Sequence, residues 1–263
     1  MDGQPKSLAP RRIDFLGMRF HDVTMQEAVD WIDDSIQSGR PHSLFSTNVA
    51  CFVSSRNDHF LRAFYDSCDL LTLDSMGIYY SGRLLGLPFR ETVPASYLMF
   101  KLLSVAKEKR YRVFLLGSKA DTVKKAAVSL TRQYPGTNLT GFYHGYFSSD
   151  QEGDVIDMIN RSQPDILFLG MTSPLKELFI QRNLDRIRLP VQIGVGGTIE
   201  VLAGERRLPP SWIRQAGFEW LYRLAQEPRR LWKRYLVTNT VFACILIHQL
   251  VHKGLCQIVK KQA

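Results

Sequence analysis

The sequence predicts an α/β protein: a mostly parallel sheet covered on both faces by helices, followed by a basic, helical C-terminal appendage. Three observations point there. Short β-branched or apolar runs alternate with helix-length amphipathic runs as far as Gly194. The apolar runs end in Gly, Asp, Asn or hydroxyl residues just ahead of the next helix. After Gly204 the alternation stops, and a helical pattern rich in Arg, Trp and Leu takes over. With 263 residues the chain can bury a core without disulfides or a metal. Its 45% apolar and 22% charged residues exclude a disordered chain, a collagen and a polytopic membrane protein.

Residues 13–20 read as a first strand or hairpin arm. Thr24 is placed to cap the next helix, with Glu27 three residues on as its reciprocal partner, and the helix runs to about Gly39. Residues 43–46 form a short strand ending in Thr47-Asn48, and one helix carries 49–67. Residues 69–73 form a strand ending at Asp74, followed by helical segments at 75–86 and 96–109. The strand 112–116 ends in Gly117-Ser118; Ser118 or Asp121 caps a helix to about Tyr134, and Pro135-Gly136 breaks it. A strand at 139–142, a helix at 149–162, a strand at 166–169 ending in Gly170, a helix at 174–187 and a strand at 191–194 complete the alternation. A boundary at Gly204 divides an α/β core, residues 1–204, from the appendage, residues 205–263. Pro228 suits the first turn of a helix, so two appendage helices should meet near Glu227.

Charge is unevenly spread. Of the net +9, residues 201–263 hold 11 basic and 3 acidic side chains, a net +8, whereas residues 1–200 carry +1. A cationic module implies an anionic partner: nucleic acid, a phosphate-bearing substrate or acidic lipid. The four cysteines form no C-x-x-C pair, and residues 1–12 are polar, without a signal-like apolar core. Free buried thiols in a reducing cytoplasm are expected. The apolar stretch 241–247, extended weakly to 251, falls short of the ~20 residues of a spanning helix, so no membrane crossing is expected.

In open α/β sheets, ligands bind outside the carboxyl ends of the strands. Those ends carry Thr47-Asn48, Asp74-Ser75, Gly117-Ser118, the stretch from Gly170 to Ser173-Pro174, and Gly194-Val195-Gly196-Gly197-Thr198. Glycines and hydroxyls ahead of a helix offer backbone N–H groups to an anion such as a diphosphate. Singly, each is also an ordinary turn or cap residue; as a set they point to a nucleotide or phosphate ligand. G-x-G-x-x-G, Walker A and G-x-S-x-G patterns are absent, which disfavours dinucleotide oxidoreductases, P-loop enzymes and α/β-hydrolases. No metal is expected. His248 and His252 are four apart, but no Cys, Asp or Glu beside them completes a zinc site, and there is no D-x-D pair to hold a divalent cation on a diphosphate.

Asp74 is the carboxylate that stands out. It lies where a strand ends and a helix begins, which suits either a general base at the mouth of the sheet or a plain helix cap. In the appendage, Arg230 and Arg234 share one helical face, with Leu231, Trp232 and Tyr235 on the other side. An interfacial membrane helix has this pattern, and so does a packed amphipathic helix with a solvated basic face.

Taken in order, these residues resemble the bacterial glycosyltransferases of the WecG/TagA/CpsF type, over about 17–236. The matching stretches are Ser46-Thr47-Asn48, 69–77 (DLLTLDSMG), 113–117 (VFLLG), His144-Gly145-Tyr146-Phe147, 164–170 (PDILFLG), Ser173-Pro174-Leu175-Lys176-Glu177, Gly194-Val195-Gly196-Gly197, Leu202-Ala203-Gly204, 219–224 (EWLYRL) and Glu227-Pro228-Arg229-Arg230. Each is short; their number and order make the match specific. The resemblance implies a Rossmann-like core and an inverting, metal-independent enzyme with no cofactor. Its donor would be a UDP-sugar and the transferred group a hexosyl, often N-acetylmannosaminyl. Its acceptor would be a sugar on undecaprenyl diphosphate at the cytoplasmic membrane face. Asp74 corresponds to the base, with Thr47 and Asn48 in the same pocket. Gly117, Gly170, Ser173, Pro174, Lys176, Glu177, Gly196 and Gly197 fall in motifs expected to bind substrate. With no D-x-D pair, some of Arg214, Arg223, Arg229, Arg230 and Arg234 should meet the diphosphate.

Three positions depart from the family pattern: Asp74-Ser75 replaces Asp-Gly, Pro94-Ala95-Ser96 replaces Gly-Ser/Ala-Asp, and Lys176-Glu177 replaces Gln-Glu. Lysine only donates and carries charge, where glutamine donates and accepts, so Lys176 is expected near the donor, tuning its choice. The alternative is a nucleotide-binding protein of the same fold without transfer. A nucleic-acid binder leaves the strand-end motifs unexplained, so nucleic acid is not an expected partner.

Overall fold

The computed structural model describes residues 10–262, and the side chains of residues 10–253. Strands β1 (Arg12–Phe15) and β2 (Met18–His21) form an antiparallel hairpin. Helix α1 (Met25–Ser38) starts as the sequence predicts, with Thr24 and Glu27 exchanging capping-box bonds, and it ends at a left-handed Gly39. The sheet follows from β3 (His42–Thr47), β4 (Leu70–Leu73), β5 (Arg112–Gly117), β6 (Asn138–Tyr143), β7 (Ile166–Gly170) and β8 (Val191–Gly194). Its order is β4-β3-β8-β7-β5-β6, and every pairing is parallel. All six carboxyl ends therefore share one edge.

Alternate residues of a strand face opposite sides, and here both sides are apolar. Phe114 and Leu116 enter a core with Phe15, Phe45, Tyr65 and Phe179. Val113 and Leu115 enter the other, with Leu44, Leu102, Phe168 and Val191. Helices α4 (Met76–Leu84), α5 (Ala95–Lys109), α6 (Ala120–Gln133) and α7 (Glu152–Ser162) keep close to the expected spans, and a short α9 (Thr198–Leu202) follows β8.

Several local expectations are corrected. The single helix at 49–67 is two, α2 (Val49–Asn57) and α3 (His59–Ser67). Asp58 turns extended between them and accepts the Leu61 N–H, so a polar cap interrupts the apolar pattern. Helix α8 (Leu175–Arg182) stops short of residue 187. There the Asn183 amide bonds back to the Phe179 carbonyl. Neither Ser118 nor Asp121 caps α6; Ser118 is left-handed and Lys119 takes the cap position without a side-chain bond. Of the cysteines, Cys68 is buried, Cys51 is half-buried and Cys244 is exposed, while Cys256 lies outside the described side chains.

The appendage comprises α10 (Ser211–Gln215), α11 (Glu219–Gln226) and α12 (Pro228–Gln262), the last two meeting at Glu227 as expected. Along α12, Leu231, Tyr235, Thr238 and Phe242 recur at helical spacing and are buried. Phe242 sets its ring 6.3 Å from Phe15 and 5.8 Å from Phe52, against the hairpin and α2. Leu231 and Tyr235 thus point inward, as in the packed reading of this helix, while Trp232, Leu236, Val237, Ile247 and Val251 are exposed. The length expectation also changes. α12 is unbroken, and residues 235–252 contain no Asp, Glu, Lys or Arg, so Pro228–Lys253 is long and apolar enough to cross a membrane.

Candidate active site

The shared carboxyl edge collects the strand-end motifs. Gly117 and Gly170 meet there: a Cβ on Gly117, whose φ is +142°, would lie 2.4 Å from the Gly170 carbonyl carbon. Only glycine permits that approach. Ser173 and Pro174 form the turn into α8. None of these four lines the two pockets described next.

Asp74 follows β4, and its N–H donates to the Thr47 carbonyl at the end of the neighbouring β3. The helix cap is Ser75, whose hydroxyl accepts the Gly77 N–H at 3.1 Å. The capping reading of Asp74 is therefore wrong, and its carboxylate faces a pocket of about 290 Å³. Asn48 lines the same pocket; its side-chain oxygen caps α2 by accepting from the Cys51 N–H, and its amide bonds Asp74. Thr47 lies beneath, fully buried, and its hydroxyl has no hydrogen-bond partner.

The far wall is appendage. Glu219, Trp220 and Arg223 from α11, and Tyr235, Asn239 and Phe242 from α12, close over Asp74. Arg223 binds Glu219 at 2.8 Å. Burial pushes the Asp74 carboxyl up to about 6, and the Glu219 charge adds to this; Arg223, Asn48 and Lys176 pull the other way. Burial works against the Arg223 charge, but Glu219 and Asp74 outweigh it and leave the guanidinium held above its ordinary range.

A smaller pocket of about 50 Å³ adjoins the first and shares Arg223 and Tyr235 with it. It gathers Arg206, Arg207, Arg230 and Arg234 around Gly197 and Ser96. The Arg206 guanidinium comes close to Gly197, 2.6 Å from where a Cβ would lie. Gly196, left-handed at φ 51°, turns the chain just before it. The Ser96 hydroxyl, at one of the departures from the family pattern, is buried without a partner. Arg206 and Arg230 both bind Glu227, at 2.8 and 2.6 Å.

Other expected residues lie elsewhere. Lys176 is buried, and its ammonium pairs with Glu177, which also accepts from the Tyr65 hydroxyl at 2.8 Å. Its charge is thus neutralised inside the protein, and it lines neither pocket. Arg214 stacks on Tyr97 at 4.5 Å, and Arg229 is exposed; neither lines a pocket. Sequence reading missed Glu219, Asn239, Arg206 and Arg207. The Glu219–Arg223 spacing of four was the available signal for an ion pair. Asn239, in the stretch 235–252 without Asp, Glu, Lys or Arg, offered none. Among the described residues no His, Cys, Asp or Glu cluster is arranged to hold a metal.

Comparison with known proteins identifies the family. Residues 13–254 match a family model described as the glycosyl transferase WecG/TagA/CpsF family. The chain is similar to an N-acetylglucosaminyldiphosphoundecaprenol N-acetyl-beta-D-mannosaminyltransferase of Bacillus spizizenii, 27% identical over 84% of this chain and 90% of the relative. A protein of the same name from Staphylococcus aureus is 28% identical, over 85% of this chain and 86% of the relative. With its motifs in order along one sheet edge and the family match spanning nearly the whole chain, the protein belongs to the WecG/TagA/CpsF glycosyl transferase family.

Proposed function

We propose that the protein transfers an N-acetylmannosaminyl or related hexosyl group, with inversion, from a UDP-sugar to a sugar carried on undecaprenyl diphosphate. The observation that carries this reading is a half-buried aspartate in a pocket closed by an appendage arginine. The acceptor hydroxyl oxygen attacks the anomeric carbon, Asp74 takes its proton, and the bond to UDP breaks with its electron pair leaving on the diphosphate. With a pKa of about 6, Asp74 is mostly ionised at neutral pH and ready to accept. Asn48 holds its carboxylate in place. Arg223, with Arg206, Arg207, Arg230 and Arg234 beside it, supplies positive charge to the departing diphosphate; the planar guanidinium pairs with phosphate oxygens in two places. These arginines take the part a divalent cation plays in other nucleotide-sugar enzymes.

The acceptor's lipid places the reaction at a membrane, at its cytoplasmic face. The exposed Trp212, Phe218, Trp232, Leu236 and Ile247 are suited to the headgroup boundary, beside the Lys and Arg side chains of the appendage. Spanning would strip Leu231, Tyr235 and Phe242 from their packing, so α12 lies along the surface as a peripheral contact, despite its length.

The test is incubation with UDP-N-acetylmannosamine and a short-chain lipid-diphosphate N-acetylglucosamine, with and without chelator. A new disaccharide lipid of inverted anomeric configuration is expected in both arms, with the rate falling below about pH 6 as Asp74 protonates. No product from any UDP-sugar, with UDP still bound, would favour nucleotide binding without transfer, a reading favoured by Lys176, which is tied to Glu177 where the family has an amide.

A further inference from the structure

Glu219 does no obvious work in the proposed reaction, yet it stands in the reacting pocket. It opens α11, lines the cavity with Asp74, and grips Arg223 at 2.8 Å. Its side chain is only 17% exposed. Two carboxylates and one guanidinium therefore share one pocket of about 290 Å³. An arginine between two carboxylates divides its charge between them.

We propose that Glu219 is a positioning residue that sets the basicity of Asp74, by holding Arg223 toward itself and by placing a second negative charge across the pocket. The inference deepens the reading of Asp74 as the base and rests on it. Without Glu219, Arg223 would be released to pair with Asp74. The Asp74 carboxylate would then be a weaker base, because an adjacent guanidinium favours its ionised form. With Glu219 in place, Asp74 keeps its affinity for the acceptor proton while Arg223 stays available to phosphate. The arrangement also makes the base depend on the appendage: Asp74 comes from the sheet, and both groups that bias it come from α11.

The groups facing Asp74 are few enough to assign the effect. Asn48 at the start of α2 donates to it, and Lys176 on α8 acts from within the core, damped by Glu177. Tyr97 on α5 lies within electrostatic reach of Asp74, Glu219, Arg214 and Arg223, and burial holds its phenol protonated above the ordinary range. Tyr235 on α12 shares the pocket wall. Only Glu219 is a second carboxylate on that wall.

The decisive measurement titrates Asp74 itself in the full chain, by carboxyl carbon NMR with the resonance assigned from Asp74→Asn. Alongside it runs the pH dependence of kcat/KM. In Glu219→Gln, the Asp74 midpoint should fall by about one pH unit or more, and the acid limb of the rate profile should follow it. Glu219→Asp, which keeps the charge at the helix start, should restore most of both. An unmoved Asp74 midpoint in folded Glu219→Gln overturns the proposal, as does a drop of equal size in Glu219→Asp. If the midpoint falls but the rate profile does not, Glu219 sets the acidity as inferred, and it is the reading of Asp74 as the base that fails. Loss of stability alone, from weaker docking of α11, would lower the melting temperature without moving the Asp74 midpoint.

Discussion

The sheet and the appendage handle charge in opposite ways. In the sheet half, the charged groups near the site are internal: Lys176 and Glu177 pair in the core, and Asp74 is fixed by a backbone bond and an Asn48 amide. In the appendage, α10 and α11 bury no residue fully; Arg223 pairs with Glu219, and Arg206 and Arg230 pair with Glu227. The sheet holds its groups by packing, which is rigid. The appendage is held by ion pairs and by the few α12 side chains that reach the core. The division separates two sets of groups: the proposed base sits on the packed sheet, and the arginines proposed to meet the diphosphate sit on the appendage, which buries few of its side chains. It also means that each region can be damaged separately.

The largest expected effect is at Asp74. Asp74→Asn should lose ~10²–10⁴ in kcat while keeping UDP affinity, measured by turnover and calorimetry. It should also raise stability above about pH 6. Burial raises the native pKa of Asp74 to about 6, so its ionised form destabilises the fold at high pH and not at low pH. Melting curves of wild type and variant should therefore converge near pH 4, separate progressively as pH rises to about 6, and stay apart by a constant difference above it. Equal turnover would break the assignment of the base to the sheet.

Next is the internal pair. Lys176→Met leaves Glu177 buried opposite an apolar chain, and removing one member of such a pair costs about 3–5 kcal/mol. Denaturant unfolding should show this loss. A loss below 1 kcal/mol would mean that Lys176 is not part of the rigid half.

Phe242→Ala tests the docking of α12. The ring packs on Phe15 and Phe52 but is 8% exposed, so a loss of about 2–3 kcal/mol is expected, somewhat less than for a fully enclosed ring. Activity should fall with it, because Tyr235 and Asn239 leave the pocket when α12 loosens. Unchanged activity would show that the appendage closes the site without this contact.

The smallest effect on the fold is expected from Trp232→Ser. Trp232 is 49% exposed, so stability should stay within about 0.5 kcal/mol. Flotation on anionic vesicles should fall several-fold, and high salt should weaken what remains. Unchanged flotation would place the membrane contact elsewhere.

Much of the architecture was legible because it depends on neighbours in the chain. The Thr24–Glu27 capping box and the strand-to-turn transitions at Thr47, Asp74, Gly117, Gly170 and Gly194 are local patterns, and the strand ends fell within a residue or two of expectation. The break at Asp58 and the early end at Asn183 were missed, because a single polar residue stopped a run whose apolar pattern continued. Asp74 could be singled out by its place at a strand end, but nothing near it in sequence distinguished a base from a cap. The Ser75 hydroxyl takes the cap itself, which removes the capping reading.

What the sequence determined alone is therefore the order of elements, the edge on which the site lies and the concentration of positive charge after residue 200. Tertiary structure decided which charges meet. Lys176 turned inward to Glu177 instead of facing the donor edge, and Tyr235 turned inward while Trp232 stayed outside. Glu219 and Arg223 arrived opposite Asp74 from a distant part of the chain. The physical reason is one of range. Capping and periodicity act over a few residues and leave a trace in the local pattern. Burial and Coulombic interaction act through space, and depend on how α11 and α12 close over the sheet.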